Sequence, residues 1–284
     1  MQKQIALVQA GQPSSVGDGF QIRRPLPTRR FPQTSPFLLL DHAGPMAVSP
    51  SNRPKGVDEH PHRGFETVTI VYQGALEHRD SAGNYGKIGP GDVQWMTAAS
   101  GVVHEEKHEK EFTRQGGTLE IIQLWVNLPA KYKMIPPRYQ ELTAANIPVV
   151  PAGNNSKVRV IAGAYGETAG PAHTFTPLQM LDVRLAAGDV LSFSFPEGHN
   201  AMAYVLNGKA TDGSGKSISE AEMAYFYPNG SEVSFQGEED TTLLLLSGEP
   251  IQEPVASYGP FVMNTQQEIY QAIEDYQAGK MGHL

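Results

Sequence analysis

Short apolar runs separated by glycine and proline turns recur along the whole chain, and their period is that of strands. Residues 36–42 carry Phe37, Leu38, Leu39 and Leu40 between turn residues and predict a buried strand. Residues 66–72, from Glu66 to Tyr72, are rich in β-branched side chains, and Gly74 ends them. Residues 75–80 predict a returning strand, 81–84 and 89–92 two turns, and 93–97 the next strand. Residues 119–126 are almost continuously apolar, which predicts a strand covered on both faces. Such runs at intervals of roughly 8–15 residues, with turn chemistry between them, predict a sandwich or barrel.

A second set of strands is predicted at 157–162, 178–185, 190–195, 201–206, 223–227 and 241–246. Gly188-Asp189 stands before a strand as Gly91-Asp92 does, which suits a duplicated barrel. Pro136, Pro137 and Pro148 argue against a long helix between the halves. The clearest helical signal is at 265–279. Thr265 and Glu268 have capping-box spacing, Ile269, Ala272, Ile273 and Tyr276 share one face, and Gly279 is the stop. The expected fold class is therefore all-β, two tandem barrels with a short C-terminal helix. The expected domains are 1–130, a linker over 131–150, and 151–284 carrying the second barrel and the helix.

Composition narrows the chemistry. The 29 glycines and 22 prolines are spread along the chain, as turns in an ordered all-β protein would be. A net charge of −8 gives no general attraction to nucleic acid, so no direct nucleic-acid binding is expected. The densest basic run, Arg23, Arg24, Arg29 and Arg30, reads as a solvated loop paired with carboxylates. Cysteine is absent, which excludes disulfides, thiolate catalysis and sulfur-ligated metals. Residues 1–8 lack the apolar core of a signal peptide, and no apolar run approaches the roughly 18 residues of a membrane span. A cytoplasmic monomer without membrane contact is the expectation.

Any metal must then be held by histidine and carboxylate. His60 and His62 share one face of an extended segment, and Pro61 favours extension of the residue before it. His104 and Glu106 have the same spacing. Two such pairs on neighbouring strands would aim His60, His62, His104 and Glu106 into a barrel as ligands of one divalent metal. Three imidazoles and a carboxylate suit iron, nickel, copper, manganese or zinc, with positions left open for substrate or oxygen. Glu105 and His108 compete for the fourth place, but Glu105 faces away from His104 on a regular strand. Glu66 is a further candidate. His42 and His78 have no partner at ligand spacing and read as polar residues of strands or loops, and in the second half His173 and His199 are isolated.

At these residues the chain resembles the cupin superfamily and, within it, the pirin family. Gly56, His60, His62, Glu66 and Gly74 follow the order of the first cupin motif, and Gly101 and His104 fit part of the second, without its proline and later asparagine. Residues 60–67, 90–98, 124–129 and 258–265 are similar to pirins run by run. The resemblance implies a bicupin: two cupin (double-stranded β-helix, jelly-roll) barrels with the metal in the first alone. It implies His60, His62, His104 and Glu106 as ligands, iron(II) as the usual metal, and Glu66 near the site without ligating. In the second barrel, residues 179–182 stand about where a His-x-His pair is expected. The family includes members with quercetin 2,3-dioxygenase activity, and the animal protein is described as an iron-dependent coregulator. The reading is a dioxygenase acting on a small flavonol-like phenol and O2, with Glu106 as ligand and catalytic base. The alternative is an iron-dependent, redox-sensing protein with a protein partner.

Overall fold

The computed structural model describes residues 1–18 and 20–284. The chain forms two compact units, and their boundaries differ from those expected. One unit gathers 13–23, 37–144 and 251–284, and the other 1–12, 24–36 and 145–250. Each end of the chain thus belongs to the unit built mainly from the other half.

The first unit has a seven-stranded sheet in the order Arg138–Leu142, Val93–Thr97, Phe65–Gln73, Gly117–Asn127, Phe37–Val48, Phe20–Leu26, Gln12–Val16. A four-stranded sheet has the order Gly56–His62, Val102–His108, Leu76–Asp80, Tyr85–Ile88. Glu106 on the smaller sheet accepts hydrogen bonds from Thr69 and Gln123 on the larger, so the inner faces oppose each other as in a cupin barrel. Phe20, Ile22, Val71, Leu76, Leu119 and Ile121 pack one end of the interior. The apolar runs at 66–72 and 119–126 form adjacent central strands, which explains why they lack alternation.

The 131–150 stretch is more than a linker. Ala130–Tyr132 is a single 3-10 turn, Lys133 is buried, and Arg138–Leu142 is an edge strand paired with Val93–Thr97. The helix spans Gln266–Gln277 with the Thr265–Glu268 capping box formed. Ile269 and Ala272 are buried against Val103, Phe261 and Met263, while Tyr276 is exposed. This helix sits in the unit with residues 37–144, a correction to its expected place with the second barrel. Gly64 makes the docking possible. Its φ is +88°, and a Cβ there would overlap the Val262 carbonyl oxygen, so only glycine lets the tail run alongside.

The second unit repeats the plan. Its seven-stranded sheet runs Ile5–Ala10, Glu222–Phe226, Asn200–Asn207, Thr241–Gly248, Leu178–Leu185, Ser156–Ala162, Val149–Ala152. Its smaller sheet is Val190–Ser194, Glu232–Gly237, Lys209–Asp212, Ser217–Ser219. By this order Val190–Ser194 is the counterpart of Gly56–His62, and residues 179–182, expected there, lie on the counterpart of Phe37–Val48. Leu191 pairs with Phe235 and Phe193 with Val233, all four buried in one apolar core. Hydrocarbon therefore fills the places where the first barrel carries donor atoms. No helix among the described residues is long and apolar enough to cross a membrane.

Candidate metal centre

Strand pairing builds the site. Gly56–His62 runs antiparallel to Val102–His108 with His60 opposite His104 and His62 opposite Val102. Residues opposite each other, and those two along, share a face, so all three imidazoles point inward. His60 Nε2 lies 3.0 Å from His62 Nε2, and His104 Nε2 lies 2.9 Å from His60 Nε2. The donor atoms of the three lie within 4.8 Å of one another.

The opposite ring nitrogens face acceptors. His60 Nδ1 is 2.7 Å from the Asp58 carbonyl oxygen and His62 Nδ1 is 3.4 Å from that of Pro260. Protons on Nδ1 leave lone pairs on Nε2, and two lone pairs about 3 Å apart repel unless a cation lies between them. Nitrogens at about 2.1 Å from a metal and at right angles to each other are separated by about 3.0 Å, so the spacing fits adjacent ligand positions. Phe65 packs its ring 5.0 Å from His62, and Trp125 lies 5.4 Å from the same ring.

Glu106 is buried on the same inner face but outside this group. Its Oε1 accepts from Thr69 (3.0 Å) and Gln94 (3.1 Å), and its Oε2 from Gln123 (3.0 Å). The competitors have other partners: Glu105 pairs with Arg79, and His108 packs edge-on against Phe20 and Phe112. Glu66 is on the wrong face. Phe65 points to His62 and Thr69 to Glu106, so Glu66 between them points to the opposite face and accepts from Thr97 at 2.7 Å.

His78, read from the sequence as an unpartnered polar residue, belongs to this region. It is buried opposite Glu106, stacks on Tyr139 at 5.1 Å, and places Nδ1 3.4 Å from His104 Nδ1. Its Nε2 is 3.1 Å from Asp80 Oδ2. The signal was present: His78 and Asp80 have the same two-residue spacing that singled out the other pairs. Beside Glu106 lies a cavity of about 30 Å³, lined by Phe20, Ile22, Leu76 and Ile121 with Asp41 and Gln123.

Burial holds the pKa of His62 and of His104 well below the imidazole value of 6.5, and the neighbouring imidazoles push the same way. Burial also lowers His108 to about 4, with Lys55 adding to it. Each of these rings is neutral in the fold, while the unfolded chain takes up the proton near 6.5, so acid favours unfolding below that pH. Glu66 has the opposite sign. Burial raises it to about 7 from 4.5, so its contribution is present below 4.5 and lost as pH rises to 7. Three rings outweigh one carboxyl. The urea midpoint of metal-free protein is expected to fall between pH 7 and pH 4.5, and Glu66→Gln is expected to steepen the fall. An unchanged or rising midpoint would contradict the burial of neutral rings.

The chain matches the Pirin family over residues 19–126 and the Pirin C-terminal cupin domain over 180–282. It is 51% identical, over 93% of each chain, to a Pseudomonas aeruginosa protein named provisionally as a quercetin 2,3-dioxygenase. It is 36% identical to the Homo sapiens protein named pirin, over 99% of this chain and 94% of that one. The crystal structure of quercetin 2,3-dioxygenase from Acinetobacter baumannii superimposes with a TM-score of 0.96 at 45% identity, covering 99% of each chain.

Proposed function

This chain belongs to the pirin family of bicupins, and from that premise we propose that it is a metal-dependent dioxygenase that opens the heterocycle of a flavonol-like phenol with O2. The observation that carries the reading is the convergence of the His60, His62 and His104 Nε2 atoms beside a buried carboxylate. These three would hold one divalent metal, and Glu106 would join them by giving up its bonds from Thr69 and Gln94. The donor set suits iron(II), as it does nickel, copper, manganese or zinc. When bound, the metal supplies Lewis acidity and one-electron chemistry.

The chain's own residues do the rest. Gln123, whose bond to Oε2 is kept, orients the Glu106 carboxylate before substrate arrives, so it can take the phenolic proton without a search. Phe65 and Trp125 shield the back of His62 from water. The 30 Å³ cavity has room for a molecule the size of water or O2, whereas pockets for larger ligands run to about 300 Å³ and more. The phenol therefore approaches from the side of His60, the half-buried member of the trio, next to exposed Asp58 and Glu59.

The small cavity also favours a second reading, a metal-responsive binding protein that turns nothing over. One experiment separates the two. Iron-loaded protein is mixed anaerobically with quercetin and then exposed to O2. Oxygen uptake with carbon monoxide release is expected. Uptake no greater than that of metal-free protein would sink the dioxygenase and leave the binding protein, whose partners should then differ between ferrous and ferric forms.

A further inference from the structure

We propose that Asp80 and His78 are positioning residues that lock the ring of His104 in the tautomer with its proton on Nδ1, leaving Nε2 free to bind metal; this rests on the reading of His60, His62 and His104 as ligands. The argument runs along a chain of hydrogen bonds whose direction is fixed at both ends.

At one end is Asp80. Its Oδ1 accepts from the backbone of Ala82 and Asn84 and from the Asn84 side chain, and its Oδ2 accepts from Asn84 at 2.9 Å. This carboxylate is an acceptor held still by its own turn. His78 Nε2, 3.1 Å from Oδ2, must carry a proton to meet it. Nδ1 is then the ring atom left to accept, and the group facing it decides that it does.

At the other end is Gln94, fully buried. The Tyr139 hydroxyl donates to Gln94 Oε1 at 3.1 Å, which turns the amide nitrogen towards Glu106 and His78. That nitrogen is 3.3 Å from His78 Nδ1, so a second donor also requires a lone pair there. His104 Nδ1, 3.4 Å from the same atom, can only donate. The proton of His104 therefore sits on Nδ1, and its Nε2 faces His60 bare. Stacking on Tyr139, at an interplanar angle of 23°, holds the His78 plane in place. His60 and His62 reach the same tautomer through backbone carbonyls. A side-chain carboxylate standing behind His104 sets it apart from the other two.

The test has two parts. The first uses the unmodified, metal-free protein. Long-range ¹H–¹⁵N spectra of the imidazoles are expected to show His104 protonated on Nδ1 and His78 on Nε2. The reverse pattern at either ring overturns the proposal. The second part titrates Co(II) into metal-free protein and follows its visible spectrum. Asp80→Asn replaces the obligate acceptor beside His78 Nε2 with an amide that can donate, and so removes the lock at that end. His78→Phe keeps the stack on Tyr139 and removes the acceptor. Each is expected to weaken Co(II) binding by about 10–100-fold and to change the spectrum, as loss of an orienting partner does elsewhere. The double variant is expected to be no weaker than the worse single one, because both act through one hydrogen bond. Folded variants with wild-type affinity and spectrum overturn the proposal. A wild-type protein that takes up no Co(II), or a His104→Ala variant that binds it unchanged, would refute the ligand assignment instead.

Discussion

His104→Ala is expected to lower metal affinity by more than the roughly 100-fold that loss of a mere supporting residue costs. His104 is fully buried, stands directly across from His60, and brings its Nε2 to 2.9 Å from the His60 donor atom. No other described histidine has its donor atoms in this group, and Glu106 is already tied to three donors. Elemental analysis of desalted protein should give about one metal per chain for the wild type and little for the variant. Melting with and without added metal provides the control. The stabilisation by metal should vanish in the variant, because a ligand stabilises only the state that binds it. Oxygen uptake with quercetin should vanish with it. Retention of one equivalent by the variant would show that the histidines converge for some other reason.

Lys133→Met is expected to destabilise the unit carrying the histidines by about 3 kcal/mol, since it orphans several buried acceptors at once. Lys133 Nζ donates to the Gly64 carbonyl at 2.6 Å, to Asn127 Oδ1 at 2.7 Å and to the Val262 carbonyl at 2.9 Å. Burial lowers its pKa to about 8, against Glu253 and Glu268, which raise it, so the ammonium is charged at neutral pH. Its three protons match three acceptors, and methionine fills the space without donating. The unfolding midpoint should drop by roughly 10 °C at this size of protein. The same bonds tie the loop after His62 to the end of Gly117–Asn127 and to the tail beside Pro260, whose carbonyl faces His62. Metal affinity should therefore fall too. A variant with wild-type melting would mean that the three acceptors find other donors.

Arg63 shows the same dependence on the tail. It is buried, donates from Nε to the Ser100 carbonyl at 2.7 Å, and pairs with Asp275 of the helix at 2.9 Å. From the sequence, Arg63 is simply the residue after a histidine pair, and Asp275 a polar position on an amphipathic helix. Neither gives any sign of the other across 212 positions.

The sequence by itself determined what depends on neighbours along the chain. The two-residue period of strands placed His60 with His62 and His104 with Glu106, because side chains alternate whatever the tertiary fold. The capping box at Thr265 and Glu268 fixed the start of the helix, since both bonds close within one turn. Tertiary structure decided everything that depends on register between strands. Pairing brought His60 opposite His104 and carried His78 and Asp80 behind it, a neighbourhood that no spacing along one strand encodes. It turned Glu66 to the sheet face away from the histidines, where it is buried, because the choice of face follows from where Phe65 meets Trp125. It tied Glu106 to Thr69, Gln94 and Gln123, outside the histidine trio. It put Leu191, Phe193, Val233 and Phe235 at the positions that hold donor atoms in the first barrel. It also sent both ends of the chain to the opposite unit, through Gly64 and Lys133 at one end and the pairing of Ile5–Ala10 with Glu222–Phe226 at the other. Local patterning fixes which residues share a face. Only long-range hydrogen bonding and packing fix which faces meet, and the three histidines converge where two of them do.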